Sequence, residues 1–121
     1  MFTFEKLIVW QKATNLVTNV YALTKKFPNH ETFGLANQIQ RAVVSVPSNI
    51  AEGSGRPSVK EKIHFLEISY GSLMEVYCQL QIVVNLNYIT STDFDSLKPE
   101  IESIAKMLTG MRRSWMERMR Q

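Results

Sequence analysis

The sequence has few of the residues that build turns and cross-links, and it has no long uninterrupted apolar run. Its 121 residues include one cysteine, four prolines and five glycines. The lone Cys78 excludes an internal disulfide framework, and the scarcity of glycine and proline argues against a fold of many strands and turns. The least charged stretch, residues 63–89, is interrupted by glutamate, glutamine and asparagine, so it does not predict a membrane span. With no apolar signal-peptide core near the N-terminus, we expect a cytoplasmic, helical protein.

The sequence also lacks any set of residues that is typical of catalysis or cofactor binding. His30 and His64 are far apart and have no cysteine or acidic pair at metal-ligand spacing, so no metal site is predicted. Cys78 has no nucleophile context and is expected to be a small core residue. The segment GSGRPSVK, residues 53–60, lacks the Gly-Lys-Ser/Thr ending of a phosphate-binding loop, and no strand precedes it. We therefore expect no enzyme activity and no cofactor.

What the chain does contain is helical periodicity, most clearly in its second predicted helix. At 3.6 residues per turn, one stripe of this helix is apolar and consists of Leu35, Ile39, Ala42, Val43, Val46 and Ile50. Thr32 is the expected cap at its start. Gly53 and Gly55 are expected to end it, because glycine readily takes the left-handed conformation. Pro47 lies inside the helix, where a kink is expected.

A second stripe of the same helix is polar and allows two interpretations. It consists of Gln38, Arg41, Ser45, Ser48, Asn49 and Glu52. The stripe is either a solvated face or part of a buried or intersubunit polar network. Glu52 could also face Glu75 of the third helix as a carboxylate pair, which can perform acid-base chemistry or bind metal. Because the Glu-x-x-His partners of a di-iron site are missing, neutralisation by Arg41 is the favoured interpretation.

Three further helices complete the predicted fold. The third helix, with Ser58 as its cap and Glu61 completing a capping box, has two apolar faces. The second of these faces consists of Phe65, Ile68, Val76 and Val83. No helix is central in a four-helix bundle, so the second face predicts association with another subunit. Short links between four helices predict one all-α domain, residues 1–121, folded as an antiparallel up-down-up-down four-helix bundle.

Positive charge is concentrated at the C-terminal end. Residues 106–121 hold five basic side chains against one acidic side chain, whereas the rest of the chain holds nine against ten. The basic residues are Lys106, Arg112, Arg113, Arg118 and Arg120. Lys106, Arg113 and Arg120 recur every seven residues, so they share an outward face of the fourth helix that could follow a phosphate backbone. The alternative is a basic surface that only confers solubility.

Several motifs together resemble a known family. They include QIQR at residues 38–41, SVPSNIAEG at 45–53 and GSLxE at 71–75. Over roughly residues 2–108 the chain resembles the bacterial four-helix-bundle proteins encoded by intervening sequences in 23S ribosomal RNA genes. This family includes proteins similar to the accessory variability determinant of diversity-generating retroelements. The resemblance implies a ring-like homopentamer, in which Arg41, Asn49, Glu52 and Glu75 are structural or interface residues, and it implies no enzyme activity.

Two functions are compatible with these observations. For the retroelement relatives, the resemblance implies a basic surface that binds nucleic acid and a reverse transcriptase partner. The first hypothesis is therefore an oligomeric accessory protein that binds structured RNA or DNA by charge and shape. The second is a homo-oligomeric scaffold that binds a protein partner and not nucleic acid.

Overall fold

The computed structural model describes residues 1–121 and contains helices without strands. Four α-helices are present: α1 (Ile8–Thr24), α2 (Leu35–Ser54), α3 (Val59–Asn85) and α4 (Ser91–Met119). Two short 3-10 turns, Thr3–Lys6 and Asn29–Glu31, precede α1 and α2. The all-α prediction is confirmed, although the 3-10 turn at Thr3–Lys6 is separate from α1, which begins only at Ile8.

The helices form an antiparallel bundle in which α1 and α3 each pack against both α2 and α4. Cross-helix contacts reverse direction along each pair, because residues early in one helix meet residues late in its neighbour. Between α2 and α3, these contacts join Gln38 to Gln79 and Ser45 to Ser72. Between α1 and α4, they join Asn19 to Glu100 and Lys26 to Asp93. Between α3 and α4, they join Glu67 to Arg112 and Tyr77 to Phe94. The predicted up-down-up-down bundle is confirmed.

The apolar stripe of α2 faces the core as predicted. Leu35 is half-buried, and the other five members of the stripe are buried. α4 contributes Leu97, Ile101, Ile104 and Leu108 to the same core. Beyond Leu108 the burial decreases, since Trp115 is half-buried and Met119 is exposed. The C-terminal turns of α4 therefore lie at the edge of the bundle and not in its centre.

The second apolar face of α3 is only partly available to another subunit. Val76 and Val83 are fully buried inside the protomer. Phe65 is half-buried, and only Ile68, at 37% exposure, presents a substantial apolar surface outward. The α3 helix packs against both α2 and α4. These two contacts cover more of its surface than a single apolar stripe would occupy.

Gly53 does not end α2, so this part of the prediction was wrong, whereas Gly55 lies at the end of the helix as predicted. The helix continues to Ser54, and no glycine in the protein has a positive φ angle. Gly55, at the C-terminal cap, has a φ of −92°. A Cβ atom on Gly53 would lie 2.8 Å from the Cβ of Phe65 in α3, a separation that packed carbon atoms do not reach. Gly53 is therefore required for the close approach of α2 and α3.

Pro47 is buried inside α2, and the helix continues through it. Neither Ser45 nor Ser48 bonds a carbonyl near the proline, since Ser45 Oγ bonds to Ser72 Oγ at 2.8 Å and Ser48 is exposed. Asn49 Nδ2 instead donates to the carbonyl and the hydroxyl of Ser45, each at 2.8 Å. An asparagine thus supplies the side-chain bonds next to the proline.

The Ser58 cap predicted for α3 is confirmed, but Glu61 does not accept from the Ser58 amide and so does not complete the predicted capping box. The cap predicted for α2 is wrong. Ser58 Oγ accepts a hydrogen bond from the Glu61 amide at 3.1 Å, and it donates to the Glu61 carboxylate at 2.9 Å. Thr32 lies in the turn before α2, where its hydroxyl donates to the Asn29 carbonyl. The Glu31 carboxylate instead accepts from the Leu35 amide at 3.2 Å, which satisfies one free donor of the first turn.

Tyr88 connects this helix start to the α3–α4 link. Its hydroxyl donates to Glu31 Oε2 at 2.8 Å. This hydrogen bond, followed by the one from the Leu35 amide, holds the pKa of Glu31 below its ordinary value of 4.5. The same bond to Glu31 raises the pKa of Tyr88 above 10.0. The Glu31 carboxylate thus links the start of α2 to the segment between α3 and α4, although the two are far apart in sequence.

None of the helices combines the length and the hydropathy that a membrane-spanning helix requires.

The close approach at Gly53 predicts a specific cost for added volume. Gly53→Ala should lower the free energy of unfolding, relative to Gly71→Ala, by about 1–3 kcal/mol because the new methyl group overlaps Phe65. Gly71 is the matched control, since it lies inside α3, where an added Cβ would have no atom within 4 Å, and so reports helix propensity alone. Urea denaturation measures both values. Equal stability of the two variants would contradict the steric role of Gly53.

Glu31 is expected to make the free energy of unfolding decrease as the solution becomes acidic. Its pKa is lower in the folded state, so its contribution is complete above the unfolded pKa of about 4.5 and is lost as pH falls through the folded pKa. Tyr88→Phe removes the largest cause of this shift, so the urea midpoint of the variant should fall less than that of the parent between about pH 6 and pH 3. Tyr21→Phe is the control, because the Tyr21 hydroxyl bonds no carboxylate. Parallel curves for the parent and Tyr88→Phe would refute the prediction.

Candidate nucleic-acid interface

Three of the predicted basic residues form an exposed row along α4. Lys106, Arg113 and Arg120 are all exposed, and none takes part in the four ion pairs of the protein. Seven residues correspond to nearly two helical turns, so neighbouring members lie about 10 Å apart along the helix axis. Arg120 follows the last helical residue and still has helical dihedral angles. We call Lys106, Arg113 and Arg120 the basic row.

Arg112, also predicted as a binding residue, is held by an acidic partner. Its Nη2 and Nε atoms lie 2.8 Å and 2.9 Å from Glu67 Oε2 of α3. This ion pair offsets the charge of Arg112 and orients its guanidinium group toward α3. The structure therefore separates Arg112 from the basic row, because an anion would have to compete with Glu67 for it.

Arg118 is arranged differently, since it stacks on an aromatic ring. Its guanidinium carbon lies 4.6 Å from the centroid of the Trp115 ring. A second cation, Lys62 of α3, lies 5.4 Å from the same ring. Both distances are typical of cation–π contacts, and neither cation takes part in an ion pair with a carboxylate. Lys62 was not among the residues predicted from the sequence, although the antiparallel pairing of α3 with α4 places it opposite Trp115.

A groove between α3 and α4 runs beside the basic row. It has a volume of about 380 Å³ and includes Lys106, Arg113, Thr109 and the exposed Tyr70. By helical periodicity Tyr70 belongs to an apolar face of α3, yet it is 39% exposed. A phenol ring, a hydroxyl group and two cations along one groove are groups that bind phosphates and bases.

The polar residues of α2 and α3 do not converge on one site. Glu52 pairs with Arg56 at 2.6 Å, and Glu75 accepts a long hydrogen bond of 3.5 Å from Gln79. The register of α2 on α3 places Glu52 near Phe65 and so about 15 Å from Glu75 along the axis, which rules out the carboxylate pair. Arg41 is exposed and neutralises neither carboxylate. The polar stripe is therefore partly solvated and partly used inside the protomer by Ser45 and Asn49.

The remaining candidates also lie apart from one another. His30 Nε2 is 3.4 Å from the Tyr88 hydroxyl, and the His64 ring packs edge-on against Phe65. Cys78 is exposed, so its prediction as a core residue was wrong. It lies on the outward side of α3, which the apolar residues around it in the sequence did not reveal. No three His, Cys, Asp or Glu side chains are grouped closely enough to hold a metal ion.

The fold and the basic row define a four-helix-bundle protein with a cationic end. A family model described as "23S rRNA-intervening sequence protein" matches residues 5–110. The chain therefore belongs to the 23S rRNA-intervening sequence protein family. The match includes Lys106 but ends before Arg112, so most of the basic C-terminal residues lie outside it.

One solved structure shows the same fold. It is a protein of unknown function from the S23 ribosomal protein family of Bacteroides thetaiotaomicron, 24% identical to this chain, with a TM-score of 0.80. The similarity covers 87% of this chain and 98% of the other one. No curated protein matches the chain.

Proposed function

We propose that the protein is a non-enzymatic, homo-oligomeric accessory protein that binds structured nucleic acid through the basic row on α4. The observation that carries this proposal is that Lys106, Arg113 and Arg120 are exposed, unpaired with any carboxylate and aligned on one helix face. A rigid row of cations neutralises phosphates without reading bases. Arg118 adds a fourth available charge beside the row.

Structured RNA is the first ligand to test. The family description associates its members with intervening sequences of 23S rRNA. A rigid helix that carries spaced cations suits a folded RNA or a DNA duplex, because both present phosphates at fixed positions. Tyr70 in the neighbouring groove offers a ring on which an unpaired base would stack.

Substitution of the basic row should weaken binding and reduce its salt dependence. We expect the triple variant Lys106→Ala, Arg113→Ala, Arg120→Ala to bind a labelled RNA hairpin less tightly, with a salt slope smaller by roughly 2–3 than that of the parent. The matched control is Lys6→Ala, Lys25→Ala, Lys60→Ala, which removes the same charge from exposed lysines outside the row. Fluorescence anisotropy at two salt concentrations, with duplex DNA as a second probe, measures both quantities.

A loss that is equal in the two triple variants would show that net charge, and not the row, determines binding. Unchanged binding by the first variant would disprove the site. If the parent binds neither probe at low salt, the second candidate function is favoured, in which the oligomer is a scaffold for a protein partner. The exposed apolar side chains that favour the scaffold include Phe33, which is 94% exposed, and Ile68.

Oligomer formation is a separate part of the proposal and has its own test. Ile68 retains an outward apolar surface on α3 that water contacts in the isolated protomer. Ile68→Glu should shift the sedimentation profile toward the monomer, because a carboxylate in an apolar interface is strongly unfavourable. Gln81→Glu adds the same charge at another exposed position of α3 and should leave the profile unchanged. A parent protein that sediments only as a monomer at micromolar concentration would exclude the oligomer.

A further inference from the structure

A cavity opens at the end of the bundle where α2 meets α3. Its volume is about 280 Å³, and its walls are mainly apolar. They are formed by Leu7, Ile50, Leu66, Met111 and Trp115, with Lys62 among the polar lining residues. This volume is near the lower end of the range of small-molecule sites, about 300–1,000 Å³. The cavity therefore suits a small ligand and not a polymer.

The cavity follows from the unequal lengths of the helices. α1 begins at Ile8, whereas α4 extends to Met119. The pairing of Asn15 with Glu100 places the start of α1 opposite the middle of α4, so the last turns of α4 have no α1 residues beside them. The 3-10 turn Thr3–Lys6 and Leu7 close only one side of this space.

Lys62 places a positive charge at this apolar space. Its Nζ donates to the Ser54 carbonyl at 3.1 Å and lies 5.4 Å from the Trp115 ring centroid. An ammonium group has three N–H donors, and Lys62 takes part in none of the ion pairs of the protein. The charge therefore has a carbonyl and a ring near it but no anion. An apolar cavity with an available ammonium group is complementary to an amphipathic anion.

We propose that this cavity binds a monocarboxylate with a medium-length aliphatic chain. The chain would lie against Ile50, Leu66 and Met111, and the carboxylate would accept hydrogen bonds from the Lys62 ammonium. A carboxylate matches this arrangement because its bond to an ammonium group is charge-assisted and stronger than one to a neutral oxygen. The proposal does not depend on nucleic-acid binding, since Lys106, Arg113 and Arg120 do not line the cavity.

Tryptophan fluorescence provides a direct test. The protein has two tryptophans, so Trp10→Phe leaves Trp115, in the cavity wall, as the reporter. The probes are octanoate and octylammonium, each below its micelle concentration, and octan-1-ol below its solubility limit. We expect saturable octanoate binding that is at least about tenfold tighter than octanol binding, with octylammonium the weakest.

Lys62→Met in the same background should weaken octanoate binding by about tenfold and leave octanol binding unchanged. Lys60→Met is the matched control, because Lys60 is exposed on the same helix and does not line the cavity. Absence of saturable octanoate binding, equal affinity for octanoate and octanol, or equal effects of the two lysine variants would each overturn the proposal. Because the comparison of the three probes needs no change at Lys62, it decides the matter even if Lys62→Met fails to fold.

Discussion

The packing of α2 against α3 is the constraint from which the other positions in the bundle follow. At one end, the absence of a side chain on Gly53 lets the Cβ of Phe65 come close to the α2 backbone. Near the middle, Ser69 Oγ donates to the Val46 carbonyl at 2.9 Å, so a buried hydroxyl and a backbone acceptor satisfy each other between the helices. At this contact a small, hydroxylated residue thus allows two backbones to approach while its own buried hydroxyl stays hydrogen-bonded.

This pairing decides which residues of α3 remain outside. Once one side of α3 is fixed against α2 and its core side is covered, the neighbouring side must meet α4. Glu67 then lies beside Arg112, and Lys62 lies beside Trp115. Ile68 and Cys78 are left on the outer surface. The position of α3 therefore determines in part which basic residues of α4 are paired and which are free. The sequence of α4 alone does not indicate this.

Periodicity was sufficient to predict the helices and the stripe of α2, because each of these depends on how one helix divides between core and solvent, and with the short links it also predicted the bundle. It was insufficient wherever two helices had to be placed in register. Gly53 was misread as a helix terminator because its steric partner, Phe65, is on another helix. The proposed facing of Glu52 and Glu75 failed for the same reason, since spacing within a helix does not give their separation across two helices. Cys78 was misplaced because α3 has apolar residues on several sides.

Register also distinguishes basic residues that the sequence presents as equivalent. Arg112 and Arg113 are adjacent, yet one is bound to Glu67 and the other is free of any carboxylate. A step of one residue turns a helix by about 100°, which is enough to move a side chain from the α3 contact to the open surface. The family match ends at residue 110, so the match itself does not distinguish these two arginines. What distinguishes them is the position of α3, and the capacity of α4 to bind an anion is in this sense a property of the bundle and not of the helix alone.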